Sequence, residues 1–162
     1  MKRFRYATMD DLEELLCVRR NARHFDDAHL TLHREDIKDM LRNGKGIVAL
    51  NEGKIFAFAL LKLRGLPKRA ELTHLYVDKS ARPKDGFRYG AHLFEMAMIE
   101  GLNSGANRML WWTFNSARKF YHEVAAPYDF IDEGDMAVSL DALVVRQPSV
   151  RRRKRAQATL CR

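Results

Sequence analysis

The chain has 162 residues, 46% of them hydrophobic, with 29 Lys and Arg against 21 Asp and Glu and a formal net charge of +8. That length and composition bury enough surface for one domain without disulfides or a structural metal, which excludes a disordered chain or a cysteine-stapled scaffold. No segment approaches the roughly 20 apolar residues that span a bilayer, and the start, Met1 to Tyr6, lacks a signal peptide's apolar run, so a soluble cytoplasmic protein is the expectation.

In chain order, Phe4 to Ala7 is a short strand candidate, and Thr8 with Asp11 three residues on supplies the elements of a capping box, so a helix should begin there. Leu12, Leu15, Leu16 and Arg19 continue at helical spacing, and the pattern runs to about Arg23. Cys17 falls within it and reads as a small buried hydrophobe rather than a nucleophile; with Cys161 it matches no metal spacing. A polar stretch, His24 to His29, leads to a second amphipathic segment, Leu32 to Arg42, stopped by Asn43 and Gly44. His24, Asp26, Asp27, His29 and His33 are metal-ligand types, but their spacing builds no tight site and reads as a solvated loop, so no metal is expected.

From Gly46 the period changes. Ile47 to Leu50, the turn Asn51-Glu52-Gly53 and Ile55 to Leu63 predict a hairpin, and Glu71 to Val77 predicts the next strand, covered on both faces. A polar loop, Asp78 to Arg88, leads into a helix from about Tyr89 to Asn103, whose Gly90, Leu93, Phe94, Ala97, Met98 and Gly101 share one face. Met109 to Phe114 is a strand whose Trp111 and Trp112 point to opposite faces, Ser116 to Val124 a short helix, and Met136 to Val145 a final alternating strand. The fold class is mixed α/β (α+β): a central, partly antiparallel sheet with helices on both faces.

The charge is concentrated at one end. Residues 146–162 carry seven basic and no acidic side chains, leaving 22 basic and 21 acidic residues in 1–145. The chain thus divides into a nearly neutral domain, 1–145, and a polybasic tail, 146–162. Arg151, Arg152, Arg153, Lys154 and Arg155 suit a nucleic acid or another polyanion, or a solvated tail that aids solubility.

The informative region for chemistry is Glu71 to Ile131. A glycine-bearing turn from strand into helix leaves backbone N–H groups at the positive end of a helix dipole, a geometry that binds phosphate. Gly86 and Gly90 mark such a turn. His74, on the strand, titrates near neutrality and is a candidate base; Glu71, three residues earlier, should face the opposite side of a regular strand.

Thr8 with Asp11, the run Glu71-Leu-x-x-Leu-Tyr-Val77, the loop to Gly90, Asn115 with Phe120 and Tyr121, and Tyr128-Asp129-Phe130 together resemble the GNAT acyltransferases over roughly residues 3–143. The resemblance implies a GNAT-like fold and an N-acetyltransferase that moves acetyl from acetyl-CoA, as co-substrate, to a primary amine on a small molecule or protein. It places the pantetheine along Leu75, Tyr76 and Val77, and the pyrophosphate on Gly86, Arg88, Tyr89, Gly90 and Ala91, with Asn115 nearby. Gly90 fits the last position of the family's loop, whereas Arg88 stands at its middle glycine and Asp85 at its leading Arg or Gln. Lys79, Arg82, Lys84 and Arg88 supply cations that can hold phosphates through side chains instead. Tyr121 matches the family's thiolate acid and Glu71 its water-linked base, with the oxyanion held by a backbone N–H near Leu75 to Val77. The region between the first two helices would help to form the acceptor site. The alternative is a GNAT-like domain that has lost catalysis and works as a structural or nucleic-acid-associated protein, as in some phage particles, using its basic tail. A homodimer is compatible with either reading.

Overall fold

The structure is a computed structural model that describes residues 3–22, 30–65, 68–111, 115–128, 130–133 and 135–140. The elements are β1 (Arg3–Tyr6), α1 (Leu12–Arg20), α2 (Leu30–Asn43), β2 (Lys45–Asn51), β3 (Lys54–Arg64), β4 (Arg69–Val77), α3 (Arg82–Asn103), β5 (Arg108–Trp111), α4 (Asn115–Ala125), β6 (Phe130–Glu133) and β7 (Asp135–Ser139). The seven strands make one sheet in the order β1-β2-β3-β4-β5-β7-β6. Its one parallel pair is β4 with β5, and a parallel pair needs a long crossover, which α3 provides.

Two buried layers flank the sheet. On one face α1 and α2 place Leu12, Leu15, Leu16, Val18, Ile37 and Met40 against Val48, Ile55, Phe58 and Leu60. On the other, Leu93, Phe94, Ala97 and Met98 of α3 and Tyr121, Val124 and Ala125 of α4 cover Ala59, Leu61, Leu72, Met109 and Trp111. Each large side chain fully buried here contributes roughly 1.5–3 kcal/mol.

Local chemistry explains the element ends. The Asp11 carboxylate accepts the Thr8 N–H at 2.8 Å and the Arg5 guanidinium at 2.7 Å through each oxygen, so the helix start predicted from Thr8 and Asp11 is tied to β1. The β2–β3 hairpin turns through Glu52 and Gly53, both with positive φ (52° and 83°), the backbone that a two-residue turn between twisted strands requires.

The structure departs from the sequence reading in four places. First, α3 begins at Arg82, not near Tyr89, so the predicted polar loop is largely helix. Asp78 starts this: its carboxylate accepts the Ser80 N–H at 2.8 Å and the Ser80 hydroxyl at 2.6 Å. A 3-10 turn, Lys79–Ala81, follows, and Pro83 sits in the first turn of α3, where its missing N–H costs nothing. Second, a short strand, β6, precedes the expected final strand and pairs with it. Third, Cys17 is exposed. It lies two residues past the buried Leu15, about 200° around the helix, and α1 buries Val18 and Arg19 instead. The fourth, the facing of Glu71 and His74, belongs to the site. Trp111 is buried, its Nε1 donating to Met136 Sδ at 3.1 Å; Trp112, the 24–29 cluster and the tail from 146 lie outside the described residues.

Candidate active site

Strand β4 holds the site because it is paired unequally on its two edges. Toward β3 it pairs along its whole length, from Arg69 to Val77. Toward β5 the described pairing covers Arg69 to Leu72 only. Among the described residues, Thr73 to Val77 have no strand partner on that edge.

A bulge sits where the pairing stops. Leu61 of β3 faces Leu72, but its neighbour Leu60 faces His74, so Thr73 is an extra residue. The insertion resets the alternation of side chains. Leu72 belongs to the α3 layer, and so does Val77, with Leu75 packed against it. His74, opposite Leu60, and Tyr76, opposite Phe58, turn to the α1 and α2 face. Glu71, opposite Lys62, lies on that same face. The opposed facing of Glu71 and His74 expected for a regular strand is thus overturned by the bulge, which lies two residues before Leu75.

Thr73 makes the bulge polar and directional. Its hydroxyl donates to the Leu60 carbonyl at 3.1 Å, and its Oγ1 lies 3.0 Å from His74 Nδ1. A carbonyl only accepts, so the single hydroxyl proton goes to Leu60 and the ring nitrogen donates to Oγ1. Neutral His74 then carries its proton on Nδ1 and its lone pair on Nε2. His74 is buried, with its ring centroid 6.0 Å from that of Tyr76. The Arg19 guanidinium, buried on α1, lies 5.9 Å from the Tyr76 ring centroid.

Tyr121 reaches the same stretch of β4 from the opposite face. It is buried among Phe94, Trp111 and Phe120, at centroid distances of 5.8, 5.5 and 5.0 Å. Burial pushes its phenol pKa well above the ordinary value, and the nearby Tyr76 phenol pushes the same way, so Tyr121 stays protonated across the physiological range. Glu71 stands apart from this group. It lies before the bulge, in the part of β4 still paired with β5, and its carboxylate is held by Arg64 at 3.0 Å and Arg69 at 3.8 Å.

The predicted pyrophosphate residues are helical. Gly86 and Gly90 lie in α3, where an interior N–H is given to the carbonyl four residues back. Gly90 has a packing reason: a Cβ there would meet Phe120 Cε2 and Cζ at 3.0 Å. Tyr89 packs edge-on against Phe56, 5.0 Å between centroids, and Ala91 packs on the α3 core. Lys79 and Arg88 are exposed near the start of α3, and Asn115 is the first residue of α4. Thr73 is the residue the sequence did not reveal, because an inserted strand residue shows only when the partner's register is known. Among the described residues no three His, Cys, Asp or Glu side chains could hold a metal ion, and no helix is long and apolar enough to cross a membrane.

A family model described as the acetyltransferase (GNAT) family matches residues 9–125. Among solved structures, a GNAT-family protein from Desulfovibrio desulfuricans superposes with a TM-score of 0.71 at 14% identity, covering 86% of this chain and 99% of its own. The PaiA N-acetyltransferase of Thermoplasma acidophilum, solved with coenzyme A, gives 0.67 at 16% identity, again covering 86% and 99%. A GCN5-related N-acetyltransferase from Ralstonia eutropha JMP134 gives 0.62 at 23% identity, covering 76% and 90%. No curated protein matches the sequence.

Proposed function

The chain belongs to the GNAT acetyltransferase family, and on that premise we propose that it moves an acetyl group from acetyl-CoA to a primary amine by direct attack within a ternary complex. The observation that supports this reading is the stretch of β4 after Leu72, which has no described partner toward β5 and carries His74 and Tyr76 on one face, with the buried Tyr121 phenol near that of Tyr76 on the other. The co-substrate's pantetheine would lie along Leu75, Tyr76 and Val77, where β4 has no described partner toward β5 and its backbone is available to an amide-bearing chain. Its pyrophosphate would be held by side-chain cations such as Lys79 and Arg88 at the start of α3, since Gly86 and Gly90 are helical.

In the reaction one ammonium proton leaves first, the amine nitrogen bonds to the thioester carbon, and as the carbon–sulfur bond breaks the second nitrogen proton passes to the departing sulfur, leaving an amide and a thiol. His74 Nε2, kept as the basic nitrogen by Thr73, suits the first proton better than Glu71, whose carboxylate is engaged by two arginines. Tyr121 faces the departing sulfur as a hydrogen-bond donor. Its phenol is a weaker acid than a thiol of pKa about 8.5, so it stabilises the thiolate without surrendering its proton fully.

Calorimetric titration with acetyl-CoA and with CoA, followed by an amine screen, tests the reading. Micromolar one-to-one binding and acetyl transfer to an amine are expected; no binding at millimolar ligand refutes it. Tyr121→Phe should lower turnover by about 10²-fold, typical for loss of one donor to a developing charge, with acetyl-CoA affinity within about twofold.

A second reading, a GNAT-like domain without catalysis that uses its basic tail on a polyanion, is favoured by the helical state of the Gly86 to Ala91 segment. It predicts failure of the CoA titration and salt-sensitive nucleic-acid binding weakened on neutralising Arg151 to Arg155.

A further inference from the structure

The end of the sheet farthest from the start of α3 carries a row of arginines that the acetyl-transfer reading does not use. Arg64 of β3 pairs in register with Arg69 of β4, and Arg69 pairs in register with Arg108 of β5. Leu63, Ala70 and Met109, their sequence neighbours, belong to the α3 side, so the alternation of each strand turns all three arginines to the opposite face. With strands about 4.8 Å apart the row is about 10 Å long. Lys68 stands beside it, and Arg64, Lys68, Arg69 and Ser104 line an open pocket of about 240 Å³ at this end.

Like charges directly opposite each other on neighbouring strands destabilise a sheet. Glu71 offsets part of this, bridging Arg64 and Arg69. Lys68 and Arg108 are exposed and form no ion pair among the described residues, and Arg69 Nε is buried with no hydrogen-bond acceptor there. The patch therefore holds more positive charge than its own acids neutralise.

The last described residue of the chain lies near the same patch. Asn107 N donates to the Lys68 carbonyl at 3.1 Å, and Leu140 N donates to the Asn107 carbonyl at 2.9 Å. Ser139, the residue before Leu140, pairs with Arg108 itself. Leu140, the last described residue before the seven basic residues of 146–162, thus lies close to Lys68 and Arg108.

We propose that Arg64, Lys68, Arg69 and Arg108 form a docking surface for the phosphodiester backbone of a nucleic acid. Guanidiniums about 4.8 Å apart along such a row can reach successive phosphates of one strand. Three guanidiniums in a line suit phosphate oxygens, which they grip with paired N–H groups. The row is independent of coenzyme binding, so it stands or falls apart from the proposed activity.

The test is fluorescence anisotropy of a short labelled single-stranded RNA with the full-length chain, titrated across a salt series. Lys68→Gln with Arg108→Gln leaves the Glu71 ion pairs intact. In the doubly substituted chain the slope of log K against log salt should fall by about 1.4, at about 0.7 per lost phosphate contact on a single strand. The same decrement should appear when Arg151 to Arg155 are also Gln, and the pair Lys68→Arg with Arg108→Lys should restore it. Unchanged melting temperature and acetyl-CoA titration confirm an intact fold. An unchanged slope in the doubly substituted chain, no RNA binding by the natural chain at low salt, or displacement of RNA by polyglutamate as readily as by unlabelled RNA overturns the proposal.

Discussion

Replacing Thr73 with Val removes one oxygen and keeps the branched shape, so it isolates the polar function of the bulge. Two hydrogen bonds are lost together: the donation to the Leu60 carbonyl at 3.1 Å and the acceptance from His74 Nδ1 at 3.0 Å. Each neutral hydrogen bond is worth roughly 0.5–1.5 kcal/mol net, and water reaches the exposed Thr73 side of the bulge, so the expected loss is about 1–2 kcal/mol. In a domain of this size that lowers the melting temperature by about 3–6 °C. The second readout is specific to His74. Two-bond nitrogen–proton correlation of its ring should report a protonated Nδ1 in the natural chain and a shift toward the Nε2-protonated form in Thr73→Val. Thr73→Ser, which keeps the hydroxyl and drops the methyl, should retain the natural tautomer. A Thr73→Val chain with unchanged tautomer, or a Thr73→Ser chain that loses it as completely, would refute the assignment of the proton by the hydroxyl.

Gly90→Val should destabilise by roughly 1–3 kcal/mol in urea unfolding, because its Cβ starts 3.0 Å from the Phe120 ring and the added methyls have no space between α3 and α4. Gly90→Ala should be nearly neutral, since about 1 kcal/mol of helix propensity offsets the crowding. Asp11→Asn should cost about 1–2 kcal/mol at neutral pH through loss of the charged bond to half-exposed Arg5. The Arg5 guanidinium, with the Thr8 contacts, holds the folded Asp11 pKa below its ordinary value of 3.8. Its contribution is therefore present above about pH 4 and lost as pH falls through the folded value, so the stabilities of the two chains should converge in acid.

The sequence disclosed those features that depend on neighbours along the chain. Thr8 with Asp11 located a helix start, Asn51-Glu52-Gly53 a hairpin, and Leu93, Phe94, Ala97 and Met98 the buried stripe of α3. It was least legible where distant contacts decide. The polar run after Val77 looks like a loop and points to a start of α3 seven residues too late, whereas Asp78 bound to Ser80 and Pro83 in the first turn let the helix begin at Arg82. The apolar neighbours of Cys17 point inward, yet α1 exposes it and buries the charged Arg19 in preference, over the Tyr76 ring. The bulge at Thr73 leaves no mark in the period of β4 alone, since only the register with β3 shows that one residue is extra. That single insertion brings Glu71 and His74 to one face and so reopens which of them takes the proton.

The pH dependence of turnover decides between those two bases. A histidine acts as a base only in its neutral form, so a histidine base gives turnover a limb that rises with pH and that its removal abolishes. At saturating amine and acetyl-CoA, kcat reports groups of the bound complex. The natural chain should therefore show kcat rising with pH to a plateau. His74→Gln should lower kcat by 10²-fold or more, the ordinary scale of general base catalysis, and abolish that limb. Glu71→Gln should leave the limb in place, because Glu71 binds Arg64 and Arg69 before the bulge rather than the open stretch of β4 beyond it. A Glu71→Gln chain that loses the limb while His74→Gln keeps it would return the proton to Glu71, and the arginines around it would then be part of the catalytic machinery.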